Sequence, residues 1–470
     1  MHSCLALHRP LHDNLSSTSG PQTRIDNRTR VASLTDEVRE RQLQRARVAY
    51  QRPGYRNFVL GLLTIVYVFN FLDRQVVNIL GEAIITDLGL TDTQFGMLSG
   101  IAFAAIYATL GMPIARWADG GVRRNIIALA VTVWSAMTAL CGTAQNFWQL
   151  FLLRAGVGLG EAGGSPPAHS IISDIFPANK RATALSIYSL GIYGGSLIGY
   201  MGGGYLASEF SWRIAFVVVG LPGVLLAVLV RFLIHEPPRG LAEARVDVTP
   251  APFSEVLGIL WTRKCFRHIA MGCALHAFVT YGLAAFMPIF LTRVHAMPIQ
   301  QIGTILGLVA GIGGMLGTFG GGYLSDKLAN RHGESRWHIW VPLISTVAAI
   351  PFYWFSLMLA DTGVAAALTW FVPSVVAGMY LGPCLSMTHS LVGLRMRAQA
   401  SAILFFVLNL IGLGIGPLAT GILSDYLRPE FGNQSIRYAL VTMVLVNIWC
   451  ATHYYIATRT LREDLARAPA

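Results

Sequence analysis

The sequence predicts an all-α membrane protein with twelve transmembrane helices arranged as two parallel repeats of six. Three observations predict it. Hydrophobic residues make up 54% of the 470-residue chain and charged residues only 13%, with a mean hydropathy of +0.53, a balance that a soluble domain of this length does not reach. Apolar runs of about 20 residues, each long enough for a helix across a hydrocarbon core roughly 30 Å thick, recur along the chain after residue 55. A stretch of the second run returns in the eighth, so the membrane part is built twice.

Residues 1–55 are polar, rich in Arg, Ser, Thr and Asn, and lack the apolar core of a secretory signal. A disordered cytoplasmic tail is expected, with Arg39, Arg41, Arg45, Arg47 and Arg52 nearest the membrane, where the same cluster would suit a lipid-surface anchor. The N-terminal bundle (56–234) takes the runs Asn57–Ile85, Gln94–Trp117, Asn125–Thr143, Trp148–Ile172, Thr183–Ala207 and Ile214–Ile234. The C-terminal bundle (268–458) takes Ile269–Leu291, Ile302–Leu324, Ile339–Leu359, Val364–Leu391, Ala400–Leu423 and Tyr438–Ile456, and 459–470 form a cytoplasmic tail. Between the bundles, 235–267 read as a cytoplasmic linker: Pro237 and Pro238 stop the sixth helix, and Phe253–Trp261 followed by Arg263 and Lys264 reads as a short amphipathic interfacial helix.

One set of loops holds Arg123, Arg124, Lys180, Arg181, Arg239, Arg263, Lys264, Lys327, Arg331, Arg336, Arg395 and Arg397, while the opposite loops are poorer in basic residues and include Asp87, Asp92, Glu209 and Asp361. Basic loops stay in the cytoplasm, so both termini are expected there, as an even helix count requires. The protein is expected in a plasma or bacterial inner membrane. The net charge of +11 is spread over these loops and forms no motif for reading nucleic acid. The six cysteines show no metal or CxxC spacing, so no disulfide, metal or cofactor is expected.

The repeat is specific. Gln94-Phe-Gly-Met-Leu-Ser-Gly100 matches Gln301-Ile-Gly-Thr-Ile-Leu-Gly307, and Asp119 and Asp326 follow the two glutamines at the same distance. Parallel six-helix repeats are the arrangement of alternating-access carriers, with a substrate site near the midplane between the halves. Glycines also recur every four residues at 195, 199 and 203 and at 313, 317 and 321. Such rows let helices approach closely, whether as static packing or as a sliding surface.

Within the first run, Asn70, Asp73, Arg74 and Asn78 fall at i, i+3, i+4 and i+8, one face of a helix. Arg154 and Glu161 share a face of the fourth run about two turns apart. Charges at membrane depth face a bundle interior or a wet cavity. One reading is a fixed ion-pair network joining two helices, though buried pairs gain little over apolar replacements. The other makes Asp73 or Glu161 a proton acceptor, with burial and the neighbouring arginines setting where it titrates; neutralising it frees an arginine to meet an anionic substrate group. The C-terminal half offers only His276, Tyr281, His389 and Asn409 as possible cavity lining, so its wall is expected to be largely apolar and the substrate amphipathic with a charged head. Asp119 with Arg123 and Arg124, and Asp326 with Lys327 and Arg331, read as cytoplasmic gates that latch one access state.

These residues resemble a known family. Gly111-Met-Pro-Ile-Ala-Arg-Trp-Ala-Asp119-Gly-Gly-Val-Arg123-Arg124 is similar to the major facilitator superfamily signature after helix two, and Gly322-Tyr-Leu-Ser-Asp326-Lys327 to its second copy. Arg154-Ala-Gly-Val-Gly158-Leu-Gly160-Glu161-Ala is similar to the helix-four motif. The chain departs from the pattern at Gly120, where a basic residue is usual, and at Ala115, where glycine is usual. Asn70-Phe-Leu-Asp73-Arg74, Leu90-Thr-Asp-Thr-Gln94-Phe-Gly-Met-Leu and Gly158-Leu-Gly-Glu161-Ala resemble spinster-type carriers. The resemblance implies the major facilitator fold, a lysophospholipid or sphingoid phosphate as substrate, and a proton-sensitive acid at Asp73 with Arg74, Arg154 and Glu161 around it.

The expected function is therefore secondary active transport by alternating access, proton-coupled, by a monomer whose partners are protons, the substrate and the bilayer. The competing expectations are a proton-linked exporter of drugs or small organic anions and, from another class, a lipid scramblase or non-transporting sensor. No nucleophile and base stand together anywhere in the chain, so an enzyme is not expected.

Overall fold

The computed structural model describes residues 40–41, 43–242 and 252–467. Its membrane-crossing helices are α1 (Pro53–Ile79), α2 (92–120, broken at Gly100), α3 (Arg123–Cys141), α4 (147–175, in two pieces, Phe147–Glu161 and Ser165–Ile175), α5 (Ala178–Glu209) and α6 (Trp212–Leu233) in the N-terminal half. The C-terminal half has α7 (Lys264–His295), α8 (Ile299–His332), α9 (Trp337–Leu359), α10 (Gly363–Ser390), α11 (397–431) and α12 (Ser435–Ala466). Among the described residues nine segments are individually long and apolar enough to cross a membrane, one of them, Arg397–Ala466, holding both α11 and α12. The broken α4 and the glycine-rich α5 complete the twelve.

Three boundaries differ from the sequence expectation. Helical backbone begins at residue 40, inside the segment expected to be a disordered tail, because Ala46 and Tyr50 are buried against the end of α6. The α7 helix starts at Lys264, before the bundle limit of 268, since Asp464 accepts the Cys265 amide at 2.7 Å in its first turn. That bond, with Leu461 buried, carries α12 to Ala466 through residues expected to form a tail. The short linker segment is helical over Phe253–Thr262 and buries Val256 and Leu260, one turn apart. Residues 1–39, including Arg39, and 243–251 of the linker lie outside the described residues.

The buried apolar residues separate into three clusters. One draws on both halves, with Val76, Ile79 and Phe95 packed with Phe286, Phe290 and Ile302. The second is built from the N-terminal half around Leu63, Trp134 and Ile171, joined by Leu413. The third belongs to the C-terminal half, around Cys273, Leu404 and Tyr454. The shared cluster lies toward the face away from the termini, and the half-specific clusters lie toward the face that carries them.

The two glycine rows read from the sequence pack within halves. A Cβ on Gly195 would lie 2.4 Å from the Val68 carbonyl oxygen of α1, and one on Gly317 2.0 Å from that of Val375 in α10. They are contacts within each half and not a surface between halves.

Candidate functional site

The charged residues of the first helix divide between two neighbours. Asp73 points to α3, where the Thr138 hydroxyl donates to its Oδ2 at 3.2 Å, while Oδ1 has no hydrogen-bond partner among the described residues. Arg74, one residue and about 100° further round, turns to α4. Its Nε and Nη2 both reach Glu161 Oε2 at 2.7 Å, and its guanidinium lies over the Phe71, Phe103 and Tyr107 rings at 4.9, 4.7 and 5.0 Å. Cation–π contacts of this kind are strongest away from water.

Glycines of α4 set the depth of this pair. A Cβ on Gly158 would meet the Phe103 carbonyl oxygen of α2 at 2.6 Å, and one on Gly160 the Trp134 backbone nitrogen of α3 at 2.5 Å. Only bare backbone lets α4 come close enough to bury Glu161. Arg154, two turns earlier, is 3% exposed, stands 5.6 Å from the Phe103 ring, and has no partner for Nε or Nη1 among the described residues. The structure thus brings Arg74 and Glu161 into one pair, keeps Asp73 on a separate contact and leaves Arg154 with free donors. Asn70 is buried, whereas Asn78 donates to Gln75 of its own helix at 3.0 Å and does not join the charges.

In the C-terminal half, Tyr281 packs against the apolar clusters of both halves. His276 is engaged at both nitrogens, with the Ala377 carbonyl at 3.0 Å and the Thr346 hydroxyl at 3.2 Å, and stacks on Tyr380. A carbonyl only accepts, so Nε2 carries the proton and Nδ1 accepts from Thr346. His389 binds the Ser401 hydroxyl at 2.6 Å where α10 turns into α11, and Asn409 donates to the Phe405 carbonyl on its own helix at 2.9 Å. Tyr281 thus packs against the N-terminal cluster that includes Phe103, the ring beneath the Arg74 guanidinium.

The residues read as gates bond within their own halves. Arg123 is fully buried and donates to Asp174, to Ser170 at 2.8 Å, to Glu236 at 2.8 Å and to the Pro237 carbonyl at 2.8 Å, tying α3 to the ends of α4 and α6. Glu236 also accepts the Arg124 amide at 2.9 Å. Asp326 accepts from His338 at 2.9 Å, Lys327 lies 5.5 Å from the Tyr323 ring centroid, and Arg331 is exposed. The Asp119 side chain lies outside the described residues.

Charged groups join the halves on the opposite face, among residues the sequence reading missed, while Tyr193 of α5 shares a hydrogen bond with the Thr318 hydroxyl of α8 and Tyr200 donates to the Ala284 carbonyl of α7 at 3.2 Å. Arg293 of α7 pairs with Glu82 at 2.7 Å and Asp92 at 2.8 Å. Ser424 donates to Asp92 Oδ2 at 2.6 Å, and Asp425 accepts the amides of Asp92 and Thr93 at 3.1 and 2.7 Å. Those are the first two amides of α2, and the Thr91–Gln94 capping box supplies partners on either side. The box itself was the available signal, since it marks a helix start whose remaining amides need an acceptor.

Beside these bonds run two seams made by the repeated glycines. A Cβ on Gly96 would meet the Pro417 carbonyl oxygen at 2.4 Å, and one on Gly100 that of Gly414 at 2.6 Å, so α2 lies against α11. A Cβ on Gly303 would meet the Tyr200 carbonyl oxygen at 2.4 Å, and one on Gly307 the Met201 side chain at 2.8 Å, so α8 lies against α5. The sequence repeat is thus a structural pair, each copy closing on the other half.

The profile described as Major Facilitator Superfamily matches residues 63–417. An MFS-type efflux pump of Mycolicibacterium smegmatis is 32% identical over 413 residues, 86% of this chain and 93% of that protein. Protein spinster homolog 1 of Homo sapiens is 27% identical over 427 residues, 85% of this chain and 80% of that protein. A crystal structure of a bacterial homologue of the human lysosomal transporter Spinster, inward-facing and unoccupied, superposes with a TM-score of 0.80 at 33% identity, covering 88% of this chain and 99% of that one. Its inward-facing, occupied form gives 0.76 at 32%.

Proposed function

The chain belongs to the major facilitator superfamily as a spinster-type transporter and not an enzyme, and on that premise we propose that it moves an amphipathic anion, such as a lysophospholipid or sphingoid phosphate, by proton-linked alternating access. The observation that carries the reading is the buried Arg154 guanidinium with two nitrogens unpartnered. A buried cation without hydrogen bonds is costly, and an anionic headgroup supplies the acceptors that the protein withholds. Arg74 is held by Glu161 and three rings, so it positions the pocket while Arg154 receives the substrate.

In this reading Asp73 is the proton acceptor, because its Oδ1 is open while Thr138 holds the other oxygen. We place the face that carries the termini in the cytoplasm. The bonds of Arg293 and Asp425 then close the far side, in keeping with relatives solved in inward-facing forms.

Lipid analysis of the purified protein tests the substrate class. Lysolipids or sphingoid phosphates retained by wild type and lost in Arg154→Gln are expected; retention unchanged by the substitution contradicts the role of Arg154. The 32% identity to an efflux pump favours one second reading, export of drugs or small organic anions. A panel of hydrophilic anions that competes for transport while lysolipids do not would establish it instead.

A further inference from the structure

The helix at residues 40–51 has two opposite stripes. Ala46 and Tyr50 are buried, and the Tyr50 hydroxyl donates to the His235 carbonyl at 2.6 Å. The Tyr55 hydroxyl donates to the Leu233 carbonyl and accepts the His235 amide, both at 2.8 Å. These contacts fix the helix to the end of α6. Arg41 and Arg45 lie at i and i+4, which at 100° per residue puts them about 40° apart and across the helix from Tyr50, and Arg52, the extended residue that caps the start of α1, follows the helix end. All three are exposed.

Between the arginines run Gln44, Val48 and Ala49, and with Arg45, Arg52 and His235 they line a groove of about 460 Å³. Val48 is 54% exposed, and beside the groove α6 presents Phe232, 71% exposed, and Leu233 outward. Apolar side chains exposed around a membrane helix end face lipid, so the arginine stripe lies at headgroup level. From Arg41 to the helix end at residue 51 it runs roughly 15 Å at 1.5 Å per residue, longer than one headgroup contact.

We infer that Arg41, Arg45 and Arg52 form a binding site for anionic phospholipid headgroups in the leaflet next to the termini, with Val48 and Ala49 against the lipid's upper acyl chain. Juxtamembrane arginines gain energy only where the leaflet carries negative charge, and planar guanidinium groups pair with phosphate through two bonds at once. The site lies outside the central cavity and stands whatever the transported substrate is.

Hydrogen exchange over residues 43–51 tests it, with the full chain reconstituted in phosphatidylcholine vesicles and in vesicles of phosphatidylcholine and phosphatidylglycerol in equal parts. Wild type is expected to exchange more slowly in the anionic vesicles, and Arg45→Gln to need about fivefold more phosphatidylglycerol for the same protection. The Arg41→Gln, Arg45→Gln, Arg52→Gln variant keeps the Tyr50 and Tyr55 contacts and should behave alike in both vesicles. Raising salt to about 1 M, where screening acts within roughly 3 Å, should erase the wild-type difference. Equal exchange of wild type in the two vesicles overturns the site. Equal protection from inorganic phosphate added to phosphatidylcholine vesicles overturns its assignment to lipid.

Discussion

The Asp425 carboxylate accepts the Thr93 amide at 2.7 Å across the boundary between the halves. One half therefore caps the first turn of a helix in the other, and the cap must be given up whenever that face opens. Hydrogen bonds to a charged group contribute about 1.5–3 kcal/mol. Asp425→Asn is expected to shift the protein toward the state open on the side away from the termini by tenfold or more, and Arg293→Gln to act in the same direction. Labelling of a cysteine introduced in the 81–92 connection reads the shift; labelling rates equal to wild type in both variants would contradict it.

The two kinds of glycine separate in the same assay. Gly96→Ala and Gly303→Ala place a methyl group against a carbonyl of the opposite half, so both should favour opening while the melting temperature of each bundle changes little. Gly195→Ala meets the Val68 carbonyl within its own half and should lower stability without changing access.

Arg123 is a structural tie in this conformation. Its replacement by alanine leaves Asp174 and Glu236 without their cation, a loss of about 3–5 kcal/mol for a buried pair broken on one side. Thermal unfolding in detergent should show the loss for Arg123→Ala and a smaller one for Arg124→Ala, which keeps the backbone bond to Glu236.

A surface ion pair between Arg462 and Glu334 adds to the docking of the α12 end. Hydrogen bonds from Arg336 and then Arg462 hold the Glu334 carboxyl below the usual glutamate range. A lowered acid contributes stability that is present above its unfolded pKa, about 4.3, and is lost as pH falls through the lower folded value. The protection factors of residues 459–467, which discount the intrinsic pH dependence of amide exchange, should therefore be flat from neutral pH to about 5 and fall in stronger acid, and Glu334→Gln should weaken the dependence while Asp464 still holds the Cys265 amide.

The sequence made helices, halves and charges legible because each is a local pattern. Asp73 and Arg74 announce themselves inside an apolar run, but a shared face does not say which neighbours flank it, and 100° of helix rotation sends one to Thr138 and the other to Glu161. Spacing likewise exposes glycine rows at 195–203 and 313–321 without naming the helix opposite, so rows that pack within halves read the same as rows between them. Only the glycines that belong to the repeat, Gly96 with Gly100 and Gly303 with Gly307, carried the extra information that both halves use them alike. The far gate was hidden by distance: Asp92 reads as a loop acid until Asp425, Ser424 and Arg293 are brought to it. The arginines at 41, 45 and 52 were visible as a cluster, but the shared face of the first two appears only once residues 40–51 are helical.

Proton coupling in this reading rests on Asp73 as the acceptor, while Arg154, without a partner at Nε and Nη1 among the described residues, receives the substrate. Transport by wild type and Asp73→Asn in proteoliposomes with an imposed pH gradient tests this directly. Wild type should respond to the gradient and Asp73→Asn should transport at a rate that ignores it. A wild-type rate indifferent to the gradient, or a gradient response that survives in Asp73→Asn, would contradict the account.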